Sequence, residues 1–309
     1  MNQYADGVWP VMLTPFSPDG EVDHGALAEL TRWYIGQGVQ GLFATCQSSE
    51  IFSLSLRERV SIVETVVKTS NGRVPVIASG HVADHLEGQL YEMDSIMEAG
   101  AHAFVLISNR LARQEEGDSV WLKNLDVILS HAQCHDINLG MYECPYPYKR
   151  LLNDATLCAC AHSGSFYFLK DTCCDADLIK KRLGILKDTS MKLYNANTAT
   201  LLSSLRAGAA GFSGIMANFH PKLYVWLAKH SNHEHAQRVQ DALSVMGMLD
   251  RYSYPSCAKY HLSAIEGIPM TIKSRVQNEL NLTQADKQLV QAVERMSHEI
   301  YKRYCGGEV

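Results

Sequence analysis

The sequence predicts an α/β protein, a (β/α)8 barrel of the TIM type with a C-terminal helical extension, and three observations predict it. Eight short apolar runs recur, at residues 8–15, 41–45, 74–79, 103–107, 139–142, 166–170, 191–194 and 211–215. Amphipathic stretches of helical period lie between them, at 25–37, 56–69, 86–99, 119–132, 175–186 and 198–207, and such alternation makes the sheet parallel. No Gly-x-Gly-x-x-Gly turn follows any run, so the units read as a closed barrel rather than an open doubly wound sheet. Several helical stretches end in glycine or polar turns, as helix C-termini do. The glycine-alanine steps at 98–101 and 206–211 resemble one another as helix-to-strand turns, one barrel unit repeated. From Pro221 onward the alternation stops, and 222–229, 235–249, 255–266 and 283–303 read as helices. The expected division is a barrel over 1–221 and a helical extension over 222–309.

Composition narrows the class of function. The 309 residues are 46 % hydrophobic and 20 % charged, ordinary values for a globular chain with a large core. A net charge of -5 argues against nucleic acid or an anionic membrane as the partner. Met1-Asn2-Gln3-Tyr4-Ala5-Asp6 lacks the basic start and apolar core of a signal peptide, and no run reaches the ~18 apolar residues of a membrane span. A cytoplasmic protein is therefore expected. The nine cysteines are scattered, and neither Cys158-x-Cys160 nor Cys173-Cys174 has zinc spacing, so reduced thiols are expected.

In a (β/α)8 barrel the active site lies at the carboxyl ends of the strands. The sixth run, Phe166-Tyr167-Phe168-Leu169-Lys170-Asp171-Thr172, ends on a lysine, and an ammonium in a buried strand is costly unless paired or neutral. Desolvation lowers a lysine pKa, and a neutral amine attacks a carbonyl. Lys170 is thus a candidate Schiff-base nucleophile for a 2-oxo acid, whose iminium withdraws electrons and lets a carbon-carbon bond break or form. Tyr142 closes the fifth run and can shuttle a proton. After the second run, Gln47, Ser48 and Ser49 offer donors for a substrate carboxylate, and the eighth run delivers Ser213 and Gly214.

Each residue taken alone has a plainer reading: Lys170 as a solvated strand end, Tyr142 as a packing aromatic, Gln47-Ser48-Ser49 as a helix N-cap turn. Their joint placement at strand ends favours chemistry. His131-x-x-Cys134-His135-Asp136 and His230-x-x-His233-x-His235 lie away from strand ends and read as solvated histidines, not metal ligands. Asp171 reads as a loop support, and Glu50 as a buried carboxylate ordering its own turn through backbone N–H groups.

These motifs resemble those of the dihydrodipicolinate synthase and N-acetylneuraminate lyase family of class I aldolases. The family's Tyr-x-x-Pro, Lys-Asp and Gly-x-x-x-x-x-Ala-Asn patterns appear as Tyr142-Glu143-Cys144-Pro145, Lys170-Asp171 and residues 211–218, with Thr14-Pro15-Phe16 and Glu50-x-x-x-Leu54-x-x-x-Glu58-Arg59 in addition. Tyr142 and Lys170 stand 28 residues apart, the length of one β-α-β unit. The resemblance implies that Lys170 forms an imine with pyruvate or another 2-oxo acid, that Tyr142 relays the proton, and that the turn at Gln47 and Ser48 holds the carboxylate. It also implies a cytosolic homotetramer built from dimers, with no organic cofactor or metal beyond the covalent lysine imine.

Departures from the family bear on the substrate. Cys46-Gln47-Ser48-Ser49-Glu50 stands where the family has Gly-Thr-Thr-Gly-Glu or Gly-Ser-Thr-Gly-Glu. Pro145-Tyr146-Pro147-Tyr148-Lys149 lacks the arginine of dihydrodipicolinate synthases, and Ser108-Asn109-Arg110 replaces their tyrosine pair. Ala196-Asn197-Thr198-Ala199 replaces the acidic pair of sialate lyases. Asn195 and Asn197 suit a hydroxylated sugar acid, the first expectation. Tyr146 and Tyr148 suit an aromatic 2-oxo acid, as in the hydratase-aldolases, and a 2-keto-3-deoxy sugar acid dehydratase would use the same imine. An oxo-acid-binding or regulatory protein without turnover is the reading from another class.

Overall fold

The computed structural model describes residues 4–306. Met1, Asn2 and Gln3 of the leader reading, like the last three positions, lie outside the described residues. Eight parallel strands follow one another around the sheet: β1 (Gly7–Val8), β2 (Leu42–Phe43), β3 (Val76–Ala78), β4 (Ala103–Ile107), β5 (Leu139–Tyr142), β6 (Phe166–Asp171), β7 (Lys192–Asn195) and β8 (Gly211–Phe212). β1 pairs with β8, and a parallel bridge between Val11 and Phe43 joins the two remaining edges. The barrel is thereby closed. An added Cβ at Gly211 would sit 1.7 Å from the Gly7 carbonyl oxygen, so this seam requires glycine.

The first run is the one that departs most from its expected 8–15. Pro10 has no N–H to give a ladder, so only Gly7–Val8 is regular, and pairing resumes where Phe43 N donates to Pro10 O at 3.0 Å and Met12 N to Phe43 O at 3.0 Å.

The surrounding helices are α1 (His24–Gly36), α2 (Leu56–Ser70), α3 (Leu86–Glu98), α4 (Asp118–Cys134), α5 (Asp154–His162), α6 (Ala176–Leu186), α7 (Leu201–Arg206) and α8 (Pro221–Lys229). α2 begins at a capping box, Glu58 N donating to Ser55 Oγ and Ser55 N to Glu58 Oε2. α5 is an addition to the sequence reading. Its Asn153 cap accepts from Thr156 N, but Ala155, Cys158, Cys160 and Ala161 leave it few large apolar residues from which to recognise a helical stripe. α8 packs on β1 and β8, in the place of the ring's eighth helix. α9 (Ala236–Met246), α10 (Ser256–Ala264) and α11 (Gln284–Tyr304) follow, matching the remaining helical stretches within a few residues.

The strand period of two sorts the core. Phe104 and Leu106 of β4 face the helices, whereas Ala103, Val105 and Ile107 join Val11, Phe43, Ile77, Phe168 and Tyr194 inside the barrel. Phe168 stacks on Tyr194 at 4.4 Å between centroids and closes the interior below the site. None of the nine cysteines, all among the described residues, forms a disulfide. No described helix is long and apolar enough to cross a membrane.

Candidate active site

Lys170 follows Phe168 by two residues and so points to the same interior side of β6. Tyr142 is its register partner on β5, and Tyr194 its partner on β7. Pairing in the sheet therefore places amine and phenol side by side: Lys170 Nζ lies 4.2 Å from the Tyr142 ring centroid. Lys170 is 3 % exposed, and among the described residues no carboxylate lies within ion-pair distance of it. Burial holds its pKa below 10.5, against a smaller upward pull from the nearby Cys46 and Cys144 thiols. Burial likewise holds the Tyr142 phenol well above its ordinary value. The pair consists of a desolvated amine and a protonated phenol.

The Tyr142 hydroxyl donates to Gln47 Oε1 at 3.3 Å, and Cys144 Sγ approaches the same oxygen at 3.5 Å. Gln47 and Ser48 belong to the one-turn 3-10 helix after β2 and both line a cavity of about 800 Å³ at the carboxyl end of the barrel. The Tyr142 and Lys170 side chains, Asn197 and Gly214 line the same cavity. Five of the expected site regions thus converge.

Three of the expected residues do not reach it. The Ser49 hydroxyl donates to Met12 O at 2.6 Å and Ala44 O at 3.0 Å, bracing the strand ends from behind. Asn195 donates to Thr200 and Ser204 hydroxyls and accepts from Asn197 N, tying β7 to α7. Ser213 donates to Trp9 O across the closing seam. At the ends of β7 and β8 the alternation of the backbone turns Asn195 and Ser213 away while Ala196 and Gly214 face the cavity, and in the 3-10 turn Ser49 points back under the strand ends while Gln47 and Ser48 face it. Tyr148 is also displaced from the wall: its hydroxyl caps the Asn109 and Ala112 carbonyls.

Asp171 supports the loop, as its position suggested. Arg182 of α6 grips Asp171 and makes a two-pronged contact with Glu143, Nη2 to Oε1 at 2.7 Å and Nη1 to Oε2 at 3.0 Å, all three groups fully buried. Thr172 N donates to Glu143 and Thr172 Oγ1 to the Glu143 carbonyl. This clamp fastens the ends of β5 and β6 directly behind Tyr142 and Lys170. Desolvation pushes the Glu143 pKa up despite Arg182. Glu50 is buried in a left-handed backbone conformation, φ 62°, and its carboxylate is held from the extension: Lys259 Nζ at 2.7 Å, Ser274 Oγ at 3.0 Å and Arg275 N at 2.6 Å. Its own turn supplies none of these donors, contrary to the sequence reading.

Asn109, in the place of the family's tyrosine pair, donates to the Cys144, Tyr146 and Tyr148 carbonyls and pins the loop after β5. Arg150 runs outward to Asp118. Tyr254, which sequence reasoning missed, completes the wall; its phenol faces Ser48 and accepts from Asn218 Nδ2 at 2.9 Å. It arrives from the segment between α9 and α10, and no local motif marks it. Phe52, Tyr146, Ile215, Pro255 and Val276 make the outer wall apolar, with Phe52 and Tyr146 in contact at 4.9 Å between centroids.

A closed (β/α)8 barrel with a desolvated lysine at the end of β6 and a tyrosine beside it defines a lyase of the class I aldolase type. The dihydrodipicolinate synthetase family model matches residues 4–275, and the chain belongs to that family. The 4-hydroxy-tetrahydrodipicolinate synthase of Acidithiobacillus ferrooxidans is 28 % identical over 219 residues, 70 % of this chain and 72 % of that protein. Sialic acid aldolase of Ruminococcus gnavus superposes with a TM-score of 0.86 at 18 % identity, covering 98 % of this chain and 99 % of that one. A monomeric dihydrodipicolinate synthase variant superposes with a TM-score of 0.84 at 19 % identity, covering 96 % and 98 %.

Proposed function

We propose that this lyase cleaves a 2-oxo acid to pyruvate, or condenses pyruvate with an acceptor, through an imine on Lys170. The observation that supports this reading best is the buried Lys170 amine, without a carboxylate partner, facing Tyr142. Neutral Nζ adds to the C2 carbonyl, and loss of water from the carbinolamine leaves a protonated imine. The electron pair of the C3–C4 bond then flows into that imine as the bond breaks, giving an enamine; protonation at C3 and hydrolysis release pyruvate and free the amine. Tyr142 carries the protons at the carbinolamine and at the departing oxygen. Gln47, its Oε1 engaged by Tyr142, presents its NH2 with the Ser48 hydroxyl to the substrate carboxylate. No cofactor beyond the lysine imine enters this chemistry.

The outer wall favours an aromatic or apolar tail over a polyhydroxylated one. Asn197 faces the cavity but Asn195 does not, whereas Phe52, Tyr146 and Tyr254 all line it, the first two in ring contact. The hydratase-aldolase reading, an aromatic 2-oxo acid split to pyruvate and an aldehyde, thus gains on the sugar-acid reading and on the dehydratase. We further propose a cytoplasmic homotetramer, as the sequence resemblance implies; the monomeric variant among the structural neighbours shows that this fold also stands alone.

Pyruvate release from benzylidene-pyruvates, whose C3=C4 bond must first take up water to give the 4-hydroxy acid that the cleavage step splits, and from 2-keto-3-deoxy sugar acids, followed by coupling to lactate dehydrogenase, tests the reading. Release from the aromatic series, abolished in Lys170→Ala, is expected. A stable imine with no release from either series would make the protein an oxo-acid binder. In Tyr142→Phe the imine should still form while turnover slows by about 10²- to 10⁴-fold; unchanged turnover would remove Tyr142 from the mechanism.

A further inference from the structure

Away from the cavity, two buried histidines and two glutamates meet where the barrel joins the C-terminal helices. His220 is the cap residue of α8, His261 lies on α10, Glu266 follows α10, and Glu294 lies on α11. The His220 and His261 side chains are 1 % and 0 % exposed. No hydrogen bond of good geometry reaches any of their four ring nitrogens, although the Phe219 backbone lies beside His261. Buried polar atoms without partners are rare in folded proteins, and an ion is one of the standard reasons for them. The nitrogens nevertheless face oxygens: His261 Nε2 lies 3.6 Å from Glu266 Oε1 and 3.9 Å from Glu294 Oε2, and His220 Nδ1 lies 3.5 Å from that same Glu294 oxygen.

These separations are too long for hydrogen bonds, which close at about 2.7–3.2 Å. They approach the edge of a coordination tetrahedron, about 3.4 Å for metal-ligand bonds of about 2.0–2.1 Å. One ligand atom each from His261, Glu266 and Glu294 lies within 4.8 Å of the other two, so a small inward movement brings the three onto one ion. Two carboxylates, each about a quarter exposed, supply the negative charge that a divalent cation needs. Trp33 Nε1 donates to the second Glu266 oxygen at 2.8 Å, the outer-shell support that orients a ligating carboxylate.

We propose that His261, Glu266 and Glu294 bind one first-row divalent cation of the Zn²⁺ type, which staples α10 and α11 to the end of the barrel; the fourth position falls to His220, which meets Glu294 but lies outside the three-residue cluster, or to water. Mixed imidazole and carboxylate donors suit such an ion. The site is structural and separate from the lysine chemistry. Its ligands are too far apart in the sequence to form a spacing motif, unlike the histidines at 131–135 and 230–235.

Full-length protein stripped with chelator and titrated with ZnCl₂ tests the proposal, with Co²⁺ as a spectroscopic probe. Wild type is expected to bind one Zn²⁺ per chain, to show the intense visible absorption of four-coordinate Co²⁺, and to gain about 5 °C in Tm at saturating metal. Glu294→Gln should lower the affinity at least about 100-fold and lose both the cobalt band and the Tm gain. A metal-free Tm matching stripped wild type would show this variant folded. His233→Ala/His235→Ala should bind as wild type does, which excludes the other histidine cluster. Absence of saturable binding, six-coordinate cobalt in wild type, or undiminished binding in Glu294→Gln would overturn the proposal.

Discussion

At the scale of the residue, Lys170 is a group the fold would be more stable without. Burial lowers its pKa, so between that lowered value and 10.5 the unfolded chain binds the proton more tightly than the folded one. Stability therefore falls as pH drops through that window, and below it the full cost of the buried amine is present. Lys170→Met, of similar length and uncharged, should gain about 1 kcal/mol or more at pH 7 by urea denaturation, a gain that shrinks as pH approaches 10.5; a loss at pH 7 would mean that the amine has an unseen stabilising partner. The same shift has a kinetic side, since only the neutral amine adds to a carbonyl. Imine formation should speed up with pH and level off at a midpoint below 10.5, whereas a midpoint at the ordinary lysine value would place the amine in water. Lys170 and Tyr142 were legible in the sequence because each closes an apolar run and sheet pairing does the rest. Asn195 and Ser213 were assigned to the wrong face, because a sequence run shows where a strand ends but not which side of the last residues faces in, and Ser49 because nothing in the sequence shows that its turn is a 3-10 helix whose third residue points back.

At the scale of the element, β5 and β6 are held in register at their catalytic ends by α6. Arg182 spans the two through Glu143 and Asp171, so one guanidinium is shared between two buried carboxyl groups. Arg182→Met leaves both charges unpaired and should cost about 3–5 kcal/mol by urea denaturation; a cost under about 1 kcal/mol would mean that the carboxylates are already protonated and mutually satisfied. Nothing in the sequence linked Arg182 to Glu143, which lies 39 residues earlier. α5 escaped notice for a different reason, its small residues giving too weak an apolar stripe, and β1 was read too long because apolar character was followed through Pro10. Helices with a strong stripe, such as α2 and α11, were located closely.

At the scale of the whole molecule, the C-terminal helices complete the site as well as cover the barrel. Lys259 and Arg275 hold Glu50 in its left-handed turn, and Tyr254, just before α10, lines the same cavity as Tyr142. The eightfold strand pattern was readable because it repeats, whereas contacts from a late helix to an early loop leave no periodic trace. The Lys170 imine is central to the proposed chemistry, and intact-protein mass after borohydride treatment with pyruvate tests it most directly. Wild type should gain the mass of one reduced pyruvate adduct, mapped to Lys170, and Lys170→Ala should gain none. An unmodified wild-type mass, or an adduct that persists in Lys170→Ala, would contradict it.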